Sequence, residues 1–496
     1  MKKIINKGLL AIVGLGLLLT SCKKDYLETS PTNAVSQDDI FKTTTNAWNA
    51  INGIHRSLYV QYNGRQDQGG QSKNMIDVDF MGDDLVSPTT SNGWFISTYR
   101  WLDHRNENGW TPFFNYDFYY GIITNANMII SNIDGAAGPD VDKKVIKGQA
   151  LAYRAWSYFQ MVQLFGKRFD KATANDGPGV PLVLAPTIDK LPRASVAAVY
   201  AQVLSDLAGA ISNLTGAPAR ANASHLNLNV AKGLRARVAL AMQDWTTAAT
   251  LAAEARQGFT LMTQAQYLQG FNNYTNPEWM WGSHQQADQT TFFYSFFAFM
   301  SADYNSTNIR TGPKCINSTL YNGIATTDVR RQLWDPTGTN TTFPIPPGGS
   351  RFPYMNRKFL SAGGSGSSIG DVPIMRVAEM YLIEAEARAR AGGEDASASS
   401  ALFTLVKARN PSYVQSSNTG QALINEIMFH RRVELWGEGF RFYDLKRLNL
   451  PLDRTGANHV PAVAAVLSVA AGDKTWEVLI PRTELNTNPN VVQNPL

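Results

Sequence analysis

Three separated stretches, GQALAYRAWSYF at 148–159, AKGLRARVAL at 231–240 and AEMYLIEAEARAR at 378–390, set small residues at helical spacing beside an arginine or a large aromatic. Small side chains at that spacing let neighbouring helices approach closely, which is how tetratricopeptide-type helical pairs stack. Unrelated helices with alanine-rich seams would give no reason for the recurrence. The pattern therefore predicts a mainly α chain built on a tetratricopeptide-like scaffold of helical pairs.

Wider periodicity agrees. Leu151, Ala155, Tyr158, Phe159, Val162 and Phe165 form one stripe of a helix over 148–165 that stops at Gly166. Further helices are predicted over 196–214, 226–242 and 245–256, the last two joined through Gln243 and Asp244 as an antiparallel hairpin. A fifth helix takes Pro373 into its first turn and runs to Ala391 before Gly392 and Gly393. A sixth covers 397–409 ahead of Asn410 and Pro411, and a seventh covers 421–436. Between these blocks lie two long irregular regions, about 63–112 and 262–370, rich in Gly, Asn, Ser, Thr and aromatics. Excursions of that length inside a compact chain usually bind or catalyse. A few short strands are expected, at 278–281 and 476–480.

The amino end carries Lys2, Lys3 and Lys7 before an apolar block at 8–19, too short to cross a bilayer and matched to a secretory signal. Cys22 ends it as a disulfide half, a metal ligand or a lipid attachment point. The second cysteine is Cys315, neither cysteine lies in a CxxC, and the six histidines show no ligand spacing such as HExxH. If Cys22 is acylated, Cys315 has no partner and no disulfide follows; no metal or other cofactor is expected. Leu19-Thr20-Ser21-Cys22 is similar to the bacterial lipoprotein cleavage box, in which the cysteine becomes the first mature residue and is acylated; the alternative is an ordinary secretory signal. Each buried acyl CH₂ contributes about 0.8 kcal/mol, so several chains hold a protein on a membrane that it does not cross. Later in the chain, the apolar stretch at 460–472 is broken by Pro461 and Ser468. Of 45 basic and 40 acidic residues, three lysines fall in the signal, so the remainder is nearly neutral and gives no reason to expect nucleic acid.

Three acidic patterns invite sharper chemistry. DVDFMGDD at 77–84 begins like a calcium loop, but Met81 and Pro88 stand where oxygen ligands are needed. Glu434 and Glu438 are one helical turn apart, like a glycosidase pair; Arg431, Arg432 and Arg441 beside them would keep both ionised, which favours a structural ion network. Asp77 and Asp79 would share a face if they alternate along a strand, as acceptors for hydroxyls or as catalytic acids.

The segments HRRVELWGEGFRFYDLKRLN at 430–449 and IPRTELNTNPNVVQNPL at 480–496, with Ala126-Asn127 and Asp328-Val329-Arg330, resemble the SusD/RagB family of Bacteroidota outer-membrane lipoproteins. The resemblance implies a signal peptide at 1–21 and one SusD-like domain at 22–496. Its scaffold would occupy about 36–62, 113–260 and 371–450, its ligand-binding irregular regions about 63–112 and 262–370, and its tail 451–496. It further implies a lipid on Cys22, a place on the cell surface, and a SusC-like TonB-dependent transporter as partner. Asp25 and Glu28 fit the short signal that sends such proteins to the outer face. The expected role is capture of oligosaccharides without catalysis; capture of peptides, or a surface glycosidase using Asp77, Asp79 or Asp83, are the alternatives.

Sugars present apolar C–H faces and rings of hydroxyls, so a site needs flat aromatics with planar acids, amides or guanidiniums. By family analogy the ligand-binding candidates are Asp83, Trp94 and Trp101 in the first irregular region and His284, Tyr294 and Tyr304 in the second. Trp110 and Trp156 are assigned to the core, and Phe292, Phe293, Phe296, Phe297 and Phe299 form a run expected to be buried.

Overall fold

Small residues set how closely the helices pack. The computed structural model describes residues 37–286 and 292–496, so the expected signal peptide and Cys22 lie outside the described residues. The longer helices are α1 (Thr44–Ser57), α2 (Gln71–Phe80), α3 (Trp110–Asn132), α4 (Asp140–Phe165), α5 (Val196–Leu214) and α6 (Leu228–Ala241). They continue with α7 (Trp245–Ala255), α8 (Val377–Ala391), α9 (Asp395–Arg409), α10 (Gly420–Glu434) and α11 (Arg441–Arg447). Neighbours in sequence pack as pairs: α3 on α4, α4 on α5, α6 on α7, α8 on α9, with α7 also against α8. A Cβ added to Gly148 of α4 would stand 2.7 Å from Leu214 Cγ of α5, so only glycine permits that crossing. Ala248, Ala252 and Ala255 of α7 are fully buried, as are Ala378 and Ala385 of α8. Helix predominates among the described residues, and the architecture is the predicted mainly α scaffold interrupted by loop-rich insertions.

Helix starts follow local chemistry. Ser195, Asn227 and Asp244 each accept a backbone N–H in the first turn of α5, α6 and α7. Pro373 departs from expectation: α8 begins only at Val377, and Pro373 lies in a strand. That strand, Val372–Arg376, pairs antiparallel with Trp279–Ser283, with Pro373 opposite Gly282. A proline lacks the N–H of a ladder donor but fits a two-stranded edge, and extended pairing outweighs its preference for a first helical turn. The strand expected at 278–281 is this Trp279–Ser283 segment. The one expected at 476–480 does not form: Lys474–Trp476 is a 3₁₀ turn, after which Val478 and Leu479 donate singly to the carbonyls of Leu164 and His104. A four-stranded sheet of two-residue strands, Leu85–Val86, Cys315–Ile316, Met355–Asn356 and Trp334–Asp335 in that order, draws the two irregular regions together.

Charge fixes where these insertions meet the scaffold. Arg376, fully enclosed at the end of its strand, binds Glu278, Glu434 (3.0 Å) and Glu438 (2.6 Å). Arg409 at the end of α9 binds Glu278 (2.7 Å) and Glu434 (3.1 Å). Lys358 binds Glu438 at 2.6 Å, and Arg330 binds Asp328 at 2.7 Å and approaches Glu434 at 3.4 Å. The expected ion network around Glu434 and Glu438 therefore exists, with other partners than its sequence neighbours. Arg431 binds Asp444, while Arg432 and Arg441 bind Asp84 and Asp83. Burial alone would raise the Glu434 carboxyl, but Arg409, Arg376 and Arg330 outweigh it and hold the pKa well below the ordinary range.

Removing one partner from such a buried cluster strands the others without compensation, at about 3–5 kcal/mol. Arg376→Met is therefore expected to lower the unfolding free energy by about that amount in a urea titration; a loss under about 1 kcal/mol would mean that water solvates the three glutamates.

Candidate functional site

Arg65 is the side chain around which exposed aromatics gather. It sits in a tight turn closed by Tyr62 N–H donating to Gln68 O at 2.9 Å. Asp67, itself buried, holds the guanidinium in a fork, 2.9 Å from Nε to Oδ1 and 3.2 Å from Nη2 to Oδ2. So fixed, the cation faces two indoles, 4.2 Å from the Trp110 ring centre and 5.4 Å from that of Trp94. Trp94 is half-buried, in a turn where Gly93 and Phe95 both take positive φ. Trp110 is 41% exposed, which corrects its assignment to the core: as the first residue of α3 it has no preceding helical turn to cover it. Trp156, by contrast, is buried as expected.

The second irregular region reaches the same turn. A Cβ on Gly69 would lie 1.9 Å from the carbonyl oxygen of Tyr294, so glycine allows the loop after Trp279–Ser283 to land beside Arg65. Tyr294 is half-buried there. Phe293 beside it is 50% exposed, contrary to the expected burial of the whole phenylalanine run, whereas Phe296, Phe297 and Phe299 are enclosed. The side chain of Phe292 lies outside the described residues. The result is an open rim of Arg65, Trp94 and Trp110, with the Tyr294 backbone against the same turn, distinct from the cavities of about 320 and 610 Å³ that other residues line.

Three of the predicted ligand residues do not reach solvent. Asp83 is ion-paired to Arg441 at 2.5 Å; burial by itself would raise its carboxyl, but the Arg441 and Arg432 guanidiniums hold it down to about 2. Trp101 is 5% exposed, donates through its indole N–H to Met81 O at 3.0 Å, and packs edge-on against Trp476 at 4.9 Å. Tyr304 is buried, its ring centre 6.4 Å from that of Phe293. For Asp83 and Trp101 a long-range partner claims a side chain whose local sequence resembles a loop. His284 stays accessible in a cluster of its own, with Nδ1 2.9 Å from Asp371 and its ring 4.2 Å from Tyr274. Sequence reasoning missed Arg65 and Trp110. The signal available was an Arg-x-Asp fork inside a glycine-rich turn and a tryptophan at a helix's first position.

The DVDFMGDD acids are structural. Asp77 and Asp79 lie on α2, not on a strand, and so point to different sides. Asp77 binds Lys73 at 2.8 Å; burial nevertheless pushes its carboxyl up to about 6. Asp79 accepts the Gly439 N–H at 2.8 Å, and burial, only partly offset by that bond, pushes it up to about 7. A folded-state pKa above the unfolded one means this group favours the fold at low pH and loses that contribution as pH rises towards 7. Asp79→Asn keeps an acceptor and removes the titration. Its melting temperature relative to wild type is expected to rise steadily from pH 4 to pH 7; a constant difference would show that Asp79 stays ionised throughout.

Residues 241–496 match the model of the SusD family, and residues 25–240 match a second model described as starch-binding associating with outer membrane. SusD-like protein P38 of Formosa agariphila is 24% identical over 513 aligned positions, covering 92% of this chain and 94% of the relative. A SusD-like carbohydrate binding protein from Bacteroides vulgatus superposes with a TM-score of 0.79 at 25% identity, over 90% of this chain and 97% of that one. A SusD superfamily protein from Bacteroides thetaiotaomicron gives 0.78 at 23% identity, over 92% and 100%. A laminarin binding SusD-like protein gives 0.70 at 21%, over 92% and 99%.

Proposed function

Because the chain belongs to the SusD family, we propose that it is a lipid-anchored glycan-binding protein of the cell surface that captures oligosaccharides for a TonB-dependent outer-membrane transporter and does not cut them. The observation that carries this reading is the Arg65 fork set against two accessible indoles. An indole face suits the C–H face of a sugar ring, and a guanidinium already oriented by Asp67 can donate its remaining N–H groups to adjacent hydroxyls. An open rim suits a polymer, whose chain must enter and leave on both sides. Within this reading Trp94, Trp110 and Arg65 form the platform, with Tyr294 beside them and His284 as an outlying contact. Names of the relatives support the ligand class, since one is described as carbohydrate binding and another as laminarin binding.

The glycosidase alternative loses its acids. Asp83 is held by arginines, Asp77 by Lys73, and Asp79 faces the Gly439 backbone, so none is free to protonate a leaving group beside a second open carboxylate. Among the described residues no helix is long and apolar enough to cross a membrane.

Affinity gel electrophoresis on neutral polysaccharides tests the reading. Wild type should be retarded by at least one polymer whose chain length stays unchanged, and Trp110→Ala should weaken retardation roughly tenfold, about 1.4 kcal/mol, with melting unchanged. Retardation that survives the loss of both Trp94 and Trp110 would remove the rim from the site, and heat of binding seen only with peptides would replace glycans by peptides. Separately, Cys22→Ala is expected to release the protein from the membrane fraction, and equal membrane retention of both forms would reject the lipid anchor.

A further inference from the structure

A cavity of about 320 Å³ opens between the segment following α4 and the segment at 472–477. It shares no residue with the rim, and its size suits a small ligand and not a polymer. Glu477 lines it. That residue is only 6% exposed, yet among the described residues no hydrogen bond or ion pair reaches its carboxylate. Its oxygens keep contact with the solvent of the cavity, so water solvates them there and the donors of a ligand can take the place of that water.

The nearby cations do not supply the missing donor. Lys446, also in the wall, gives its three ammonium protons to the carbonyls of Gln163 (2.7 Å), Leu164 (3.3 Å) and Gly166 (2.8 Å). Arg105 donates to the backbone carbonyls of Glu477 itself, Lys474 and Pro495. Neither side chain reaches the Glu477 carboxylate, which is left open to the cavity. Something that carries its own O–H or N–H donors completes the group.

The remaining wall decides which donor fits. Arg168 is engaged with Asp170 at 2.6 Å, and Asp473 caps the turn at Thr475, so both signs of charge line the space beside Asn449. An anion would meet Asp473 and Glu477, and a cation would meet Lys446 and Arg168. A neutral polyol escapes both conflicts, because each hydroxyl donates as well as accepts. Leu445 and Trp476 add the apolar wall that a ring's C–H face needs. We propose that this cavity is a second binding site, for a single neutral sugar ring or a similar small polyol, whose hydroxyls donate to Glu477. The proposal stands independently of the polymer reading of the rim.

Ligand-observed saturation-transfer NMR tests it, on the whole protein in a detergent without a sugar headgroup, with D-glucose, D-galactose, D-mannose and D-glucosamine as probes. At least one neutral hexose should show transfer. Glu477→Gln should weaken that binding at least tenfold, and Thr173→Trp, a bulky change at an exposed wall position, should block it without the risk of a buried substitution. Trp110→Ala should leave it unchanged while weakening polymer retardation. Four results would overturn the proposal: no transfer from any neutral hexose, transfer indifferent to both cavity variants, transfer lost with Trp110→Ala, or glucosamine bound more than tenfold better than every neutral ring.

Discussion

The structure depends on a buried meeting of opposite charges. Arg330, Lys358, Arg376 and Arg409 converge on Asp328, Glu278, Glu434 and Glu438, four cations against four carboxylates, all enclosed. Taking each ion out of water costs several kcal/mol, so the cluster holds only where every charge finds partners at once. That condition selects one arrangement of the segments that bring them: the start and end of the Trp279–Ser283 and Val372–Arg376 pair, the ends of α9 and α10, and the loop strand before Phe359. Greasy contacts alone would tolerate sliding. This network does not, because a shift of one residue would leave a bare charge in the core.

Smaller ion pairs extend the same logic outward. Asp84 and Asp83 clip the first irregular region to Arg432 and Arg441, and Trp436 donates to Asp84 O at 2.9 Å. Close backbone approach finishes the joint: a Cβ on Gly439, at φ 83°, would sit 2.9 Å from Met75 Cα of α2. Asp67 then repeats the device at the surface, where it orients Arg65 against Trp110. Each excursion is thus fastened at its root and stiffened at its tip, which reduces the ordering entropy that a ligand must overcome.

How much of this could be read from the chain depends on the range of the interaction. Helices α4, α5 and α7 were legible because their stripes are set by neighbours three and four residues away. The structural role of Glu434 and Glu438 was legible from charge density on one helix end, but their partners were not: Arg376 lies 58 and 62 residues away, and Arg431, one helical turn before Glu434, turns to Asp444 instead. Exposure was hardest. Trp101 and Trp110 sit in the same polar stretch; one is covered by Trp476 from the far end of the chain, while the other meets Arg65 and Phe113 and stays accessible. Pro373 failed for a related reason, since its strand partner at Gly282 is invisible to local propensity.

An open rim on a rigid base has a consequence for the proposed capture role. Two indoles and one guanidinium contribute about 0.5–1.5 kcal/mol per aromatic contact beyond the area they cover, too little to hold a short sugar tightly. Grip must then come from several rings of one polymer spanning Trp94 and Trp110 at once, so affinity should climb with chain length and fall when the chain is shortened or drawn away. A deep pocket would bind more tightly and release more slowly, because off-rate is where affinity differences mostly appear. For the proposed task of passing a ligand on, the shallow surface is the better match, and the stiffness supplied by the buried charges lets so few contacts suffice.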